Sequence, residues 1–158
     1  MSACTHATFD AGFPEDAQWD VNGTPLKPAG EGVTSAIRAG LLNRGIRCTD
    51  ILQRSFYGWE FDCDVDGRSF ICVVQAYEGD KWLLICEPRR SLWQELFSRN
   101  DDQELGAAST TMHEVLTSDS RFSNVRWHHR EKKGDIVLYR KCRISPFSFC
   151  MPTTLPTS

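Results

Sequence analysis

The segment Asp62–Gly67 contains the residue types that a calcium site needs. Its carboxylates at alternate positions match the opening of an EF-hand loop, in which oxygen ligands bind the cation. The match ends there, because Ser69 stands where an apolar residue is expected and Val73 stands where the loop needs a bidentate glutamate. Asp-Gly between two strands is also a strong hairpin signal. The sequence therefore predicts a β-turn here, with no metal or other cofactor.

The same segment predicts a row of carboxylates on one face of a strand. Polarity alternates strictly from Trp59 to Val65, which is typical of a half-buried strand. This acidic row comprises Glu60, Asp62 and Asp64 and continues at the turn with Asp66. It raises the local negative potential and is a candidate binding surface for a basic protein partner. A solvated or helix-covered sheet face explains the same pattern, although apolar Ile71 and Val73 are expected beside it.

Four histidines are the candidates for acid–base chemistry. His128 and His129 are adjacent in a predicted strand, so their rings point to opposite faces and cannot bind one metal ion together. His113 lies beside the apolar stripe of a predicted helix, and His6 lies near the N-terminus. The sequence contains no His-Glu-x-x-His motif, nucleophile elbow or phosphate loop. A small enzyme whose His/Cys/Asp site assembles in space remains an alternative.

Basic residues concentrate near the C-terminus. Between residues 121 and 143 there are eight lysines and arginines against two acidic residues. The candidate basic patch comprises Arg126, Arg130, Lys132, Lys133, Arg140 and Lys141. Interleaved aromatic residues would let such a patch bind nucleic acid, but the whole chain has a net charge of −3, which argues against a dedicated nucleic-acid binder. An exposed edge hairpin also uses lysine and arginine to prevent aggregation between strands.

The seven cysteines follow no known spacing. Their odd number and the lack of any Cys-x-x-Cys pair argue against a disulfide framework or a zinc knuckle. One group lies in apolar strand patterns, where a free thiol is a small buried side chain: Cys63, Cys72 and Cys86. Another group lies in less regular terminal sequence, where we expect free thiols without a structural or catalytic role: Cys4, Cys142 and Cys150. This usage, without an export signal or a membrane-length apolar run, predicts a cytoplasmic protein.

One domain must position all of these residues, because 158 residues is a common size for a single domain. We expect an irregular arm over residues 1–17, a single domain over 18–143 and a disordered tail over 144–158, which is rich in proline, serine and threonine. With 41% hydrophobic residues, the chain can form a core without metal or disulfide bonds.

The predicted elements give an α+β fold with a mainly antiparallel sheet. A weak strand over residues 18–21 precedes a helix between Pro28 and Gly45, and a four-strand meander follows over residues 51–87. Residues 92–97 and a segment beginning at Asp101 are expected to be helical, and a C-terminal hairpin follows them. Strands flanked by helices in this order indicate a sheet packed against two or three helices.

The Asp66-Gly67 turn also predicts the register of its hairpin. A two-residue loop places Val65 opposite Arg68, and the remaining core-face pairs are Cys63 with Phe70, Phe61 with Cys72 and Trp59 with Val74. Cys63 and Cys72 are then diagonal neighbours, so we expect no disulfide bond between them.

Three stretches resemble segments of small uncharacterised bacterial α+β proteins: SFYGWEF at 55–61, WLLI at 82–85 and RFSNVRW at 121–127. Some proteins of that build are similar to immunity proteins of bacterial toxin systems. The resemblance spans roughly residues 18–130 and rests on aromatic residues of core type. It implies no catalytic residue and favours a bacterial binding protein.

The sequence therefore predicts a non-enzymatic protein-binding module, for which an immunity protein or an adaptor protein is the expected type. The partner is an unidentified protein and no membrane is involved, whereas homo-oligomerisation through an exposed edge strand stays open. The small enzyme described above is one alternative. A nucleic-acid-associated protein that uses the basic hairpin of residues 121–143 is a second.

Overall fold

A computed structural model of the chain describes residues 4–55, 57–78, 80–89, 101–133 and 136–141. For residues 101–104, 129–133 and 136–141 it describes the backbone only. Within these residues there are two helices, a seven-stranded sheet and a two-stranded sheet, and every strand pairing is antiparallel. The predicted α+β fold with a mainly antiparallel sheet is confirmed.

The large sheet contains seven strands: β1 (His6–Ala11), β4 (Leu52–Arg54), β5 (Gly58–Val65), β6 (Arg68–Ala76), β7 (Lys81–Pro88), β8 (Phe122–Lys133) and β9 (Ile136–Lys141). Their spatial order is β4-β5-β6-β7-β1-β8-β9. The small sheet pairs β2 (Gln18–Trp19) with β3 (Pro25–Lys27), and the helices are α1 (Glu31–Leu42) and α2 (Asp101–Ser118). The predicted four-strand meander is β4 to β7, and the predicted C-terminal hairpin is β8 with β9.

The turn between β5 and β6 has the predicted geometry. Asp66 and Gly67 both have positive φ, at 50° and 76°, as a type I′ turn requires. Val65 pairs with Arg68, and the register continues as predicted to Trp59 opposite Val74. The core-face side chains of both strands are buried, including Trp59 at 6% exposure. The local turn chemistry therefore fixes which face of the meander joins the core.

The prediction of an irregular arm over residues 1–17 is wrong for residues 6–11. Residues 6–11 form β1, which lies between β7 and β8 in the middle of the sheet. The six residues alternate in polarity, so that Ala7 and Phe9 are fully buried in the core while His6 and Thr8 lie on the other face. The strand is short and hydrogen-bonds only to strands distant in sequence, so no hairpin signal marks it.

Both helices pack against one face of the large sheet. Helix α1 buries Val33, Ile37 and Leu41, and α2 buries Met112 and Leu116, all in the same core cluster as the sheet. Residues three or four apart lie on one helix face, so each helix presents an apolar stripe to the sheet. This leaves the second face of the sheet, which carries the acidic row, on the far side from both helices.

The second face is nevertheless buried near its centre. Val73 is 6% exposed and Leu83 is 3% exposed. A fully solvated face, one of the two readings of the alternating pattern, is therefore wrong for the centre of the sheet.

Two predictions, the helix over residues 92–97 and the tail over 144–158, lie outside the described residues. Among the described helices, none has the length and apolar content needed to cross a membrane.

Candidate functional site

Each carboxylate of the acidic row on β5 contacts an arginine of the same chain. Arg54 Nη1 lies 3.1 Å from Glu60 Oε2, Arg89 Nε lies 2.9 Å from Asp62 Oδ2, and Arg47 Nη2 lies 2.9 Å from Asp64 Oδ2. The arginines come from β4, from the residue after β7 and from the loop before β4. The acidic row is therefore a set of intramolecular ion pairs along β5, the strand next to edge strand β4.

This pairing weakens the row as a binding surface for a basic partner. A partner's lysine or arginine would have to displace an existing arginine, so the gain in Coulomb energy would be small. Asp64 also accepts a hydrogen bond from Ser69 Oγ at 2.5 Å. Asp66 lies apart from the row, exposed in the β5–β6 turn. Within the described part of the chain, no group of three or more histidine, cysteine or acidic side chains could hold a metal ion.

The structure brings together two histidines that are far apart in sequence. His6 of β1 pairs in register with His128 of β8. A hydrogen bond of 2.8 Å joins Thr8 Oγ1 to His128 Nε2, and one of 2.7 Å joins Thr5 Oγ1 to His6 Nδ1. A hydroxyl beside an imidazole is the contact that a nucleophile and its base require. Thr8 is only 9% exposed and His6 only 1%, whereas His128 is partly exposed, so the contact between Thr8 and His128 is partly buried.

His113 of α2 has a different environment. The indole N–H of Trp127 donates a hydrogen bond to His113 Nδ1 over 3.1 Å. Burial lowers the pKa of His113 below its ordinary value, because desolvation disfavours the charged imidazolium. This geometry connects the helix to β8 and is that of a structural histidine.

The candidate basic patch lies at the edge of the sheet opposite β4. Arg126, Arg130, Lys132 and Lys133 lie on β8, and Arg140 and Lys141 lie on β9. Arg126 is exposed, and the other five side chains lie outside the described part of the structure. Nucleic-acid binding by this hairpin stays a prediction.

Free thiols form a line across the core face of the sheet. Cys48, Cys63, Cys72 and Cys86 are free, and the last three are buried. The Sγ atoms of Cys63 and Cys72 are 3.6 Å apart without a bond, as their diagonal register predicted. Hydrogen bonds with Cys63 and Cys86, together with burial, raise the pKa of Cys72 well above the ordinary value. A buried protonated thiol is inert, because the thiolate is the nucleophile.

The expectation that Cys4 is a free thiol is wrong. Cys4 forms a disulfide bond, unlike the other described cysteines. The odd number of cysteines argued against a closed framework of disulfides, but it could not exclude a single bond. A disulfide is typical of oxidising compartments, whereas the free thiols of the sheet are typical of reducing ones.

A different part of the molecule exposes large apolar side chains to solvent. We name it the hairpin surface, and it comprises Trp19 (62% exposed), Val21 (101%) and Leu26 (57%). All three belong to the β2–β3 hairpin, whereas exposed Leu52 of edge strand β4 pairs with Glu60 and so lies on the face of the acidic row. Single exposed apolar residues are common, whereas larger exposed apolar patches are typical of interaction sites.

The turn that presents this surface is tightly organised. Asp20 Oδ1 accepts hydrogen bonds from the backbone N–H groups of Asn22 and Thr24, both at 2.8 Å. These bonds lower the pKa of Asp20, because they stabilise its charged form. The backbone N–H of Asp20 donates to the carbonyl of Thr24 at 2.9 Å. The carboxylate therefore closes a compact loop that holds Val21 fully in solvent.

Three further contacts fasten the hairpin to the domain. Gln53 Nε2 of β4 donates to the carbonyl of Leu26 at 3.4 Å, and the indole N–H of Trp59 donates to the carbonyl of Pro28 at 3.2 Å. Asp16 accepts from the N–H groups of Gly30 and Gly32 at the start of α1, at 2.7 and 2.8 Å. These contacts hold the hairpin and its flanking residues against both the sheet and the helix.

The charges around the hairpin surface are not neutralised like those of the acidic row. Glu15, Asp16 and Asp20 precede or enter the hairpin, and residues 1–26 contain no lysine or arginine. None of these three carboxylates forms a salt bridge in the described part of the chain. Lys27, the nearest cation in sequence, is paired with Glu31 and lies 5.6 Å from the ring centre of Trp59.

Sequence reasoning missed the hairpin surface, although a signal was present. Trp19 stands in a weak strand just before an Asn-Gly turn, in a segment whose only charges are negative. Strands β2 and β3 form a sheet of their own outside the large sheet, and the indole of Trp19 stays in solvent there.

The comparisons with known proteins add no relative: no family model, curated protein or solved structure matches this chain.

Proposed function

We propose that this chain is a non-enzymatic protein-binding module and that the hairpin surface is its contact site. The observation that carries the proposal is the exposure of Trp19, Val21 and Leu26 on one well-anchored hairpin. Burying such side chains against a partner releases roughly 25 cal/mol for each Å² of apolar surface removed from water. Tryptophan and tyrosine also supply a large share of binding energy in protein interfaces.

Preorganisation supports the same conclusion. The turn of Asp20 and the contacts of Asp16 and Gln53 fix the hairpin in the free protein. A partner therefore does not have to order this segment on binding, which removes one of the main costs of association.

The narrower features belong to this proposal as well. An immunity or adaptor protein of bacterial origin agrees with a small domain that works by contact alone. The four free thiols support a cytoplasmic location, whereas the disulfide bond of Cys4 argues against it. The partner is a protein, and a second copy of the chain is the alternative partner.

The test is affinity capture from cells of the source organism followed by mass spectrometry. The bait is the full chain, either unchanged or with Trp19→Ser and Leu26→Ser together. The matched control is Leu42→Ser, which removes an exposed leucine (42% exposed) at the end of α1, away from the hairpin. All three proteins are expected to fold, because substitutions at exposed positions usually change stability by about 0.5 kcal/mol or less.

The proposal expects a stoichiometric partner that the unchanged chain and the Leu42→Ser control retain and the double variant loses. Equal capture by all three baits would move the binding site elsewhere on the chain. The absence of any stoichiometric partner across several growth conditions would count against a binding module altogether.

A further inference from the structure

We infer that the partner segment that docks on the hairpin surface is basic, with lysine or arginine flanking an apolar or aromatic side chain. This inference rests on the function proposed above and adds the chemistry of the partner. It follows from three carboxylates that lie close to Trp19 in sequence, Glu15, Asp16 and Asp20, with no lysine or arginine before Lys27. Charge complementarity of this kind selects partners and raises association rates.

The carboxylates concerned are available, in contrast to those of the acidic row. Glu60, Asp62 and Asp64 each have an arginine within 3.1 Å, so their charge is largely compensated. Asp16 and Asp20 are held instead by backbone N–H groups, which stabilise the negative charge without cancelling it. The hairpin segment therefore carries carboxylates that pair with no lysine or arginine in the described part of the chain, unlike those of the acidic row.

The apolar part of the surface determines the rest of the partner's chemistry. Trp19 is 62% exposed and Leu26 is 57% exposed, so a purely cationic chain such as polylysine would leave them in water. An arginine can stack on the indole face while its charge approaches the carboxylates, and a neighbouring aliphatic residue can cover the leucine. A polypeptide that alternates basic and apolar residues satisfies both requirements.

Two other occupants are disfavoured by the same charges. Nucleic acid would place phosphates beside Glu15, Asp16 and Asp20, and like charges repel. A second copy in a two-fold arrangement would bring two negative hairpins together. A second copy could dock only through a basic region of its own, such as β8 with β9, and the experiment below detects that case.

The charge test uses substitutions that keep the local hydrogen bonds. Both turn bonds of Asp20 go to Oδ1, which an asparagine retains, so Asp20→Asn preserves the loop. Glu15 Oε1 accepts from Ala17 N at 3.0 Å, which a glutamine also retains. The matched control, Asp66→Asn with Glu114→Gln, removes two exposed carboxylates in the β5–β6 turn and on α2.

The probe is a peptide library displayed on phage, selected on the unchanged full chain. Clones that also bind the Trp19→Ser/Leu26→Ser variant are removed. The enriched peptides are then synthesised, and their dissociation constants are measured at about 0.05 M and about 0.5 M salt, where screening differs strongly. The oligomeric state of the free chain is measured in parallel by sedimentation.

We expect the enriched peptides to carry a net positive charge and at least one aromatic or large aliphatic residue. Their affinity should fall roughly fivefold or more in Glu15→Gln/Asp20→Asn and at high salt, and stay unchanged in the control. Enrichment of neutral or acidic peptides that still need Trp19 would overturn the basic partner while leaving the binding function intact. No enrichment, with a monomeric chain, would reject the binding function itself. A dimer that Trp19→Ser dissociates would assign the surface to a second copy and overturn the inference.

Discussion

The indole N–H of Trp59 donates a hydrogen bond to the carbonyl of Pro28 over 3.2 Å, and so ties the segment after the β2–β3 hairpin to the sheet. Trp59 is 6% exposed, whereas Trp19, on the hairpin itself, is 62% exposed. One tryptophan anchors the hairpin and the other is presented by it. This division of roles leads to a first prediction.

Trp59→Phe keeps most of the ring but removes the N–H donor. The buried carbonyl of Pro28 then loses its partner, so we expect a loss of about 1–3 kcal/mol in the free energy of unfolding. Trp19→Phe, the matched change on the exposed tryptophan, should cost about 0.5 kcal/mol or less. Urea denaturation followed by circular dichroism measures both. Equal losses for the two variants would contradict the assigned roles.

The two helices approach each other closely at Gly40. A Cβ at this position would lie 2.6 Å from Val115 Cγ1, whereas a Cβ at Gly106 of α2 would meet nothing within 4 Å. Alanine favours a helix over glycine by about 1 kcal/mol, so Gly106→Ala should stabilise the fold by about that amount. Gly40→Ala should destabilise it, because overpacking costs about 1–3 kcal/mol.

A double-mutant cycle supplies the control for this contact. The cost of Gly40→Ala should shrink when Val115 is also alanine, because the clashing methyl group is gone. An unchanged cost in the Val115→Ala background would mean that the helices do not meet at these residues.

The acidic row should matter little for stability. Changing Glu60, Asp62 and Asp64 to their amides removes three ion pairs whose carboxylates are 24–32% exposed. Exposed pairs contribute about 0–1 kcal/mol each, so we expect a total loss of roughly 1–2 kcal/mol that shrinks as salt rises. Thermal unfolding at low and high salt measures this loss, with Asp66→Asn as an unpaired control. A salt-independent loss would contradict ion pairing.

Cys48 provides a prediction on pH. Burial, with Cys63 as a neighbour, raises its pKa from 9.0 to about 11. The folded state therefore favours the thiol, and this contribution to stability is present below pH 9 and is lost as pH rises from about 9 to 11. Alkylation of Cys48 by iodoacetamide, measured by mass spectrometry, should keep accelerating past pH 9, because only the thiolate reacts. A plateau near pH 9, as in the unfolded chain, would contradict the raised pKa.

Local signals were enough to predict the meander. Asp66-Gly67 set the register of β5 and β6, since a type I′ turn has one geometry, and the alternation from Trp59 to Val65 set the buried face. Strand β1 was missed because its partners, Leu84 of β7 and Trp127 of β8, are distant in sequence.

The candidate site was less accessible to sequence reasoning. The carboxylates of the acidic row were placed on the correct strand, but the arginines that pair with them come from three separate segments that only the tertiary fold brings together. The exposure of Trp19 also depends on the tertiary fold. A tryptophan in a strand pattern is ordinarily buried, and only the separation of β2 and β3 from the large sheet leaves it in solvent.

Site-specific photo-crosslinking in cells of the source organism tests the central claim most directly. A benzophenone amino acid replaces Trp19 in the hairpin surface, Asp62 in the acidic row or Leu42 at the end of α1, and the cross-linked products are identified by mass spectrometry. We expect position 19 to capture a distinct protein partner and positions 62 and 42 to capture little. Capture from position 62 with none from position 19 would contradict the assignment of binding to the hairpin surface.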